Sequence, residues 1–534
     1  MAEPTTLIVV PHTHWDREWY QTFQQFRRRL VHTVDAVLDV LERDPGFTHF
    51  MLDGQTIPLD DYLEVRPEQA ERLRALARAG RLLVGPWYLQ PDEFLVGGES
   101  LIRNLQVGLR AAAEYGGAMP VGYVPDLFGH IGQLPQILRG MGLDNAVLWR
   151  GVGEEVAQSE FRWAAPDGTS VLVVWLCDEW GYSNARTLPL EPDALLARLR
   201  ALAEPLRARA TTGTLLLMNG SDHLEPQVGL PEAIAAVNAR LGESGTSAVI
   251  GTLPQYIEAI QRADPPLATH SGELRSSRYA HLLPGVLSTR MWIKQRNAAC
   301  EAALTRWAEP AAALAWLEGA PWPEGLLRVA WRHLLTNHPH DSICGCSLDQ
   351  VHEEMRPRFD QSEQIAAMVA SEALEHLAAR VDTRAPGGAG TPLVVFNPSA
   401  HTRSDVVTCE LEVPSGPVEV VDDAGQTVPC HVTETETREL AAQELHKDLV
   451  VSMIDLAREG RLEGYAFTGV TFHHEAGSAV EEVYLTVSDR AEPSPRLVNE
   501  GIEHILASAR RDDITAFRVV VHEVQRARVD LLAT

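Results

Sequence analysis

The sequence predicts an α/β N-terminal domain with a mainly parallel sheet, followed by a helical segment and then a β-rich region. Three observations carry this prediction. Over the first 265 residues, short apolar runs alternate with helical periodicity. From about residue 291 to 381 the periodicity is helical throughout. Beyond a Pro- and Gly-rich stretch, short apolar runs are separated by turn formers. With 534 residues the chain exceeds one ordinary core, so two to four domains are expected.

The elements follow in order. Residues 7–10 form a compact buried-strand candidate. Phe23, Phe26, Leu30, Val34, Val37, Leu38 and Leu41 then recur at three- and four-residue spacing, which is one face of an amphipathic helix. Further strands are expected at 47–52, 82–84, 121–124, 146–149, 171–176, 214–218 and 249–250, with helices between most of them, such as 68–79 and 191–206. Strands alternating with helices imply a parallel sheet covered on both faces. Residues 266–290 lose this rhythm and read as a connection carrying Arg275, Arg278, Tyr279, His281 and Arg290. Helices are expected near 291–318, 324–338 and 348–381, with Pro310 kinking or breaking the first and Ile365, Val369, Ala373 and Leu377 forming a stripe on the last. Residues 382–391 read as a linker, and strands are expected at 393–396, 406–411 and 418–421. The remainder mixes strand and helix signals. The domains implied are 1–265, 266–385 and 386–534.

Composition excludes some roles. Lys and Arg total 46 against 73 Asp and Glu, a net charge of −27, which argues against coating nucleic acid or an anionic membrane. No run of 18 or more apolar residues is present, so no membrane-spanning helix is expected. The N-terminus lacks the basic and apolar regions of a signal peptide, and six scattered cysteines suit a reducing compartment, so a cytoplasmic protein is expected.

Four polar clusters could carry chemistry. Pro11-His-Thr-His-Trp-Asp-Arg-Glu-Trp19 follows the first strand, and sites in open α/β sheets form at the carboxyl ends of strands. His14 and Asp16 are two apart, so an extended segment points them the same way, where they could share a metal ion; the alternative is a polar loop with a satisfied histidine. Asp126, in Tyr123-Val-Pro-Asp-Leu-Phe-Gly-His130, is a candidate nucleophile or ligand, or else a helix cap. Asp222, in Met218-Asn-Gly-Ser-Asp-His223, is a general acid if its pKa is raised, or else part of a turn. In Asn337-His-Pro-His-Asp-Ser-Ile-Cys-Gly-Cys346, His340 is a further metal ligand and Asp341 a partner that orients it. Cys344 and Cys346, lacking a second pair, read as structural. Gly85-Pro-Trp-Tyr-Leu-Gln-Pro-Asp-Glu93 combines rings and acids suited to a polyol with one apolar face, or forms a turn capped by Asp92. Arg150 could pair with a carboxylate, at a site or as a structural ion pair.

Together these segments resemble glycoside hydrolase family 38, the retaining zinc-dependent α-mannosidases. The resemblance rests on Pro11-His-Thr-His-Trp-Asp, Pro125-Asp-Leu-Phe-Gly-His and His340-Asp-Ser-Ile-Cys-Gly in that order, with Asn219-Gly-Ser-Asp222 between the last two. It covers roughly residues 5–400. Gly85-Pro-Trp-Tyr and Leu52-Asp-Gly-Gln55 are similar to the bacterial, mannosylglycerate-hydrolase-like branch, and Leu393-Val-Val-Phe-Asn-Pro398 to the opening of the family's first β domain. The resemblance implies an α/β domain, a three-helix bundle and β domains. It implies one Zn2+ on His14, Asp16, Asp126 and His340, with Asp126 also the nucleophile and Asp222 the acid/base. Ser221 stands where the family often has a second acid. Trp19 would floor the sugar, Arg150 would brace the nucleophile, Trp87 and Tyr88 would contact substrate, and His12 and Asp341 would support the ligands. Retention implies the two carboxyl groups about 5 Å apart.

Family members are longer, so the resemblance makes residues 386–534 a truncated β domain: a split gene with a separately encoded β chain, a fragment or a degenerate copy. The substrate expected is an α-mannoside. Within the class the alternative is mannosylglycerate or its 6-phospho form, which needs a cation from Arg17, Arg186 or Arg275. Other divalent ions are alternatives to zinc. A homo-oligomer is compatible with the sequence. Two further alternatives are a zinc amide hydrolase or deacetylase and an inactive mannose-binding remnant.

Overall fold

The computed structural model describes residues 5–383, 390–413 and 418–533, which divide into units Met1–Arg380 and Val381–Thr534. The expected linker at 382–391 falls largely on 384–389, outside the described residues.

In the first unit the strands are β1 (Thr5–Thr13), β2 (Phe50–Leu52), β3 (Leu82–Leu83), β4 (Gly122–Val124), β5 (Asn145–Leu148), β6 (Glu160–Ala164), β7 (Ser170–Trp175), β8 (Thr214–Asn219), β9 (Thr246–Ile250) and β10 (Thr269–Ser271). One sheet runs β3-β2-β1-β8, with β9 also on β1, and every pairing in it is parallel. The other runs β10-β6-β7-β5-β4 and is parallel except at β6–β7. The sequence gives no sign of β6, because its five residues are too few to set an alternation apart from the neighbouring turns.

The central strands of both sheets are buried on both faces, as their continuous apolar runs require, while β9 and β10 at the edges expose part of theirs. Ile8 and Val10 of β1, Met51, Tyr123, Val147, Val174, Leu216 and Met218 bury together between the sheets. Helices cover the outer faces. In Phe23–Arg43, Phe26, Leu30, Val34, Val37, Leu38 and Leu41 are buried, and a capping box between Thr22 and Gln25 closes its start. Helices Pro192–Arg207 and Leu230–Gly242 pack Leu195, Leu199, Ile234 and Val237 on Leu7, Val9, Leu215 and Leu217.

The helical segment begins with Met291–Ala302, a π turn at Ala303–Ala308 and Glu309–Leu317, which follow without a break. Pro310 therefore does not end the helix. A proline lacks the N–H that the carbonyl four residues back needs, and its ring crowds that carbonyl. Here that carbonyl belongs to Arg306, inside the widened π turn, which takes up the mismatch. Helices Glu324–Leu335 and Asp349–Ala378 follow, with the short helix His340–Cys344 between them. Ile293, Leu304, Leu327, Trp331, Leu334, Phe359 and Val369 share one apolar core, against which Ile365 and Leu377 pack.

The second unit is not β alone. It holds a sheet of Asp405–Glu412, Arg526–Ala533 and Cys430–Glu436 and a five-stranded sheet centred on Val480–Ser488, on which helices Lys447–Ala457 and Pro495–Ala509 pack. The strand expected at 393–396 is absent; residues 393–396 pair with no other strand and lie between Pro392 and Pro398, neither of which can donate to a ladder. Among the described residues, no helix is long and apolar enough to cross a membrane, and the six cysteines are free.

Candidate active site

The polar clusters sit where the sheet physics places them, past the carboxyl ends of strands. His14 directly follows β1 and Asp53 follows β2, while Asp126, Arg150 and Asp222 come two or three residues after β4, β5 and β8. Parallel pairing aligns Pro11 with Asn219 and continues as a bridge from His14 to Asp222, so two distant clusters become neighbours. Gly220 permits this approach: a Cβ there would lie 2.0 Å from the His12 carbonyl oxygen.

Four side chains converge. His14 Nε2 lies 3.1 Å from Asp16 Oδ1 and 3.9 Å from Asp126 Oδ2. His340 Nε2 lies 3.4 Å from Asp16 Oδ1 and 3.4 Å from Asp126 Oδ2. His14 Nε2, Asp16 Oδ1 and His340 Nε2 are buried without a hydrogen-bond partner. Burial would strip protons from both imidazoles, yet the surrounding carboxylates push His340 up to about 9 and His14 well above its ordinary value. Two carboxylates and two imidazoles facing one point therefore call for a cation. A zinc ion fits this donor set. Zn–N and Zn–O bonds of about 2.0–2.1 Å in a tetrahedron put ligand atoms roughly 3.3 Å apart, within the observed spread.

Asp126 carries the strongest charge bias. Burial alone would raise its carboxyl, but Arg150, His340 and His14 hold it far below the usual carboxylate range. Arg150 Nη2 donates to Asp126 Oδ1 at 2.6 Å, and its guanidinium stacks over Trp149 at 4.1 Å. Asp222 has the opposite bias: burial raises its carboxyl, although Tyr182 Oη donates to Asp222 Oδ1 at 2.9 Å.

Several expected residues are placed differently. Trp87 is fully buried in the core formed by helix Gly98–Ala113 and the second sheet, and Tyr88, 3% exposed, lies in the helical-segment core. Neither ring offers a face to a sugar, because the chain at Gly85–Glu93 turns both rings inward. His340 is oriented through Nδ1 by the Gln90 carbonyl at 3.3 Å, not by Asp341, whose Oδ1 instead accepts from Cys346 Sγ at 3.1 Å. Asp341 is still close enough to group with Asp16 and His340. His12 hydrogen-bonds to none of the four ligand candidates; its Nδ1 faces the Val10 carbonyl at 3.4 Å, its Nε2 has no hydrogen-bond partner, and burial lowers its pKa to about 4. Trp19 is half-buried with its ring edge-on to Tyr20 at 4.9 Å. Arg17 is spent on Asp61, at 2.8 and 3.0 Å. Asp341, Cys344 and Cys346 also gather, but the Cys344 contact, aided by burial, keeps the Cys346 thiol protonated.

Sequence reasoning missed Asp53, Tyr182 and His223, whereas Asp92 caps the turn it was expected to cap, its Oδ1 accepting from Phe94 N–H at 2.9 Å. The role of Asp53 is geometric. His14 Nδ1–H donates to its carboxylate, 3.0 Å from Oδ1 and 2.9 Å from Oδ2, while Trp15 N–H and Gln55 Nε2 donate to Oδ2 at 2.9 and 2.7 Å. This fixes the imidazole with Nε2 toward the cluster. The signal available was an acid directly after a short apolar strand, the same one that flagged Asp126. His223 Nε2 approaches Asp16 Oδ2 at 3.6 Å with its ring stacked on Phe26. Burial raises the Asp92 carboxyl to about 6.

Residues 4–274 match the glycosyl hydrolases family 38 N-terminal domain, and residues 281–377 match the alpha mannosidase middle domain. A protein of Halalkalibacterium halodurans named "Putative mannosylglycerate hydrolase" is 35% identical over 419 residues, 75% of this chain and 46% of that one. Human "Alpha-mannosidase 2C1" is 25% identical over 370 residues, 66% of this chain and 33% of that one. The crystal structure of an alpha-mannosidase from Enterococcus faecalis V583 superposes with a TM-score of 0.75 at 34% identity, covering 83% of this chain and 52% of that one. The chain thus spans half or less of the length of the curated relatives it matches.

Proposed function

The chain belongs to glycosyl hydrolase family 38, and from that premise we propose that it hydrolyses terminal α-D-mannosides with retention, at a zinc ion held by His14, Asp16, Asp126 and His340. The observation that carries the reading is the convergence of those four side chains around buried ligand atoms that lack hydrogen-bond partners. When bound, zinc supplies Lewis-acid binding of sugar hydroxyls next to the reacting carbon.

The chain's own residues then divide the work. Asp126, kept ionised by Arg150, attacks the anomeric carbon. Asp222, kept protonated by burial, gives its proton to the departing oxygen as that C–O bond breaks, leaving a mannosyl ester on Asp126. Water then attacks the anomeric carbon, its bond to the Asp126 oxygen breaks, and the water gives its proton to Asp222, releasing α-mannose and restoring both carboxyls. Asp53 and the Gln90 carbonyl keep both imidazoles turned toward the cluster. Trp19 serves as a wall for the sugar. Residues 1–265 act as the catalytic domain, residues 266–385 as a connection and three-helix bundle that delivers His340, and residues 386–534 as a β-rich domain.

A second reading, hydrolysis of mannosylglycerate, is favoured by the 35% identity to the Halalkalibacterium protein. NMR of the first-formed sugar tests the mechanism: α-mannose is expected, and β-mannose would overturn the nucleophile assignment. The remnant reading would survive if the folded, zinc-loaded chain bound mannose without turnover.

A further inference from the structure

Three of the four ligand candidates follow strands β1 and β4, but His340 comes from the helical segment. It opens the short helix His340–Cys344, between helices Glu324–Leu335 and Asp349–Ala378. Completing the cluster therefore requires residues 336–348 to dock on the loop after β1. Main-chain bonds reach this segment at two points. His340 N–H donates to the Gln90 carbonyl at 3.1 Å, and Leu348 N–H to the Trp19 carbonyl at 3.1 Å.

Between those points a buried side chain grips the segment. Glu18 stands two residues after Asp16 and is 1% exposed. Its Oε1 accepts from Ser342 Oγ, inside the short helix, at 2.9 Å and from Arg358 Nη2 at 2.8 Å. Arg358 in turn donates from Nη1 to the Thr336 carbonyl at 3.2 Å and from Nε to the Glu354 carbonyl at 3.1 Å. Glu18 is thus tied to the middle of the segment through Ser342 and to its first residue through Arg358. A buried ion pair is a poor source of stability, because desolvation offsets the attraction and apolar residues of similar volume pack as well. What it supplies is direction. Charge-assisted hydrogen bonds are short and geometrically demanding, so they favour one placement of the short helix against the loop.

We propose that Glu18 is a positioning residue that sets His340 against His14, Asp16 and Asp126, so that metal affinity depends on how the helical segment docks. The inference rests on the zinc reading above and deepens it.

The test compares zinc affinity, by chelator competition, in the full chain and in Glu18→Gln, Ser342→Ala, His340→Ala and the Glu18→Gln/His340→Ala pair, with thermal unfolding as a check on the fold. Glu18→Gln is expected to weaken zinc binding about tenfold, and Ser342→Ala, which removes a single hydrogen bond, about threefold. In the His340→Ala background, Glu18→Gln is expected to change affinity by less than about twofold, because the group it positions is gone. The visible spectrum of the cobalt-loaded chain is a second readout. Its bands should move in Glu18→Gln toward those of His340→Ala, whereas a residue that only stabilises the fold leaves them in place. Should Glu18→Gln not fold, Ser342→Ala decides by the same two readouts. A folded variant with the parent's zinc affinity and cobalt spectrum overturns the clamp and leaves the zinc site standing. Equal losses with and without His340 would route the effect through the neighbouring Asp16 and also overturn it. A parent chain that binds no zinc sinks the metal reading and the clamp together.

Discussion

Replacing Asp53 with asparagine probes the centre without touching a ligand. Asp53 is fully buried and receives three donors, from Trp15 N–H, Gln55 Nε2 and His14 Nδ1. An asparagine keeps one acceptor oxygen. His14 Nδ1 lies between the two oxygens, 3.0 Å from Oδ1 and 2.9 Å from Oδ2, and the other two donors lie on Oδ2. The asparagine oxygen is therefore held there with three donors crowded on it, and the amide NH2 replaces Oδ1 against His14 Nδ1–H. That sets donor against donor, a cost of about 1–3 kcal/mol for a buried group left unpaired. His14 escapes by giving up its Nδ1 proton and keeping the one on Nε2, the atom that faces Asp16 and Asp126. Zinc binding must then reverse that shift, so the cost reappears in metal affinity. Loss of an outer partner of a ligating histidine typically costs about 10–100-fold, or roughly 1.4–2.7 kcal/mol, and the two estimates agree. Competition against a chromophoric chelator measures the affinity, with thermal unfolding as a check on the fold. A folded Asp53→Asn variant that binds zinc within about twofold of the parent would refute the orienting role.

Three further outcomes follow from the same geometry. Asp222→Asn is expected to lower kcat/KM for an alkyl α-mannoside by about 10²–10⁴-fold, while kcat/KM for a dinitrophenyl mannoside, which reads only the first step and whose leaving group needs no proton, falls far less; equal losses in kcat/KM would remove Asp222 from the acid role. In the chelated protein, the His340 pKa of about 9 lies above its unfolded value near 6.5. Protonation there stabilises the fold below about pH 6.5, and that stability is lost as pH rises through 9. Calorimetry should show Tm of the chelated chain falling across this window and zinc removing the fall; a flat chelated profile would contradict the arrangement. Trp87→Phe is expected to cost roughly 1–3 kcal/mol of stability with little change in KM for an aryl α-mannoside; a KM rise with unchanged stability would return Trp87 to the substrate site.

Much of the site was legible because strand ends are legible. His14, Asp126, Arg150 and Asp222 each follow an apolar run closely enough that the α/β rule places them at one edge. What the sequence could not give was which neighbours answer them. Asp53 and the Gln90 carbonyl orient the two imidazoles through contacts 39 and 250 residues away, whereas the local pattern favoured His12 and Asp341 because they stand next to the motifs. Trp87 and Tyr88 show the same limit: aromatic residues beside acids suit a sugar surface or a core equally, and only packing decides. In the fold, long periodic elements such as Phe23–Arg43 were read nearly to their ends. The five-residue Glu160–Ala164 and the Pro-flanked residues 393–396 were not, since short runs leave periodicity nothing to average over.

The most direct measurement is hydrolysis of an aryl α-mannoside by the purified chain, before chelation, after it and after adding back one equivalent of zinc. The account predicts turnover that vanishes with the metal and returns with it, and that fails to return in His340→Ala. Turnover indifferent to chelation, or none from a folded chain carrying one zinc, would contradict it.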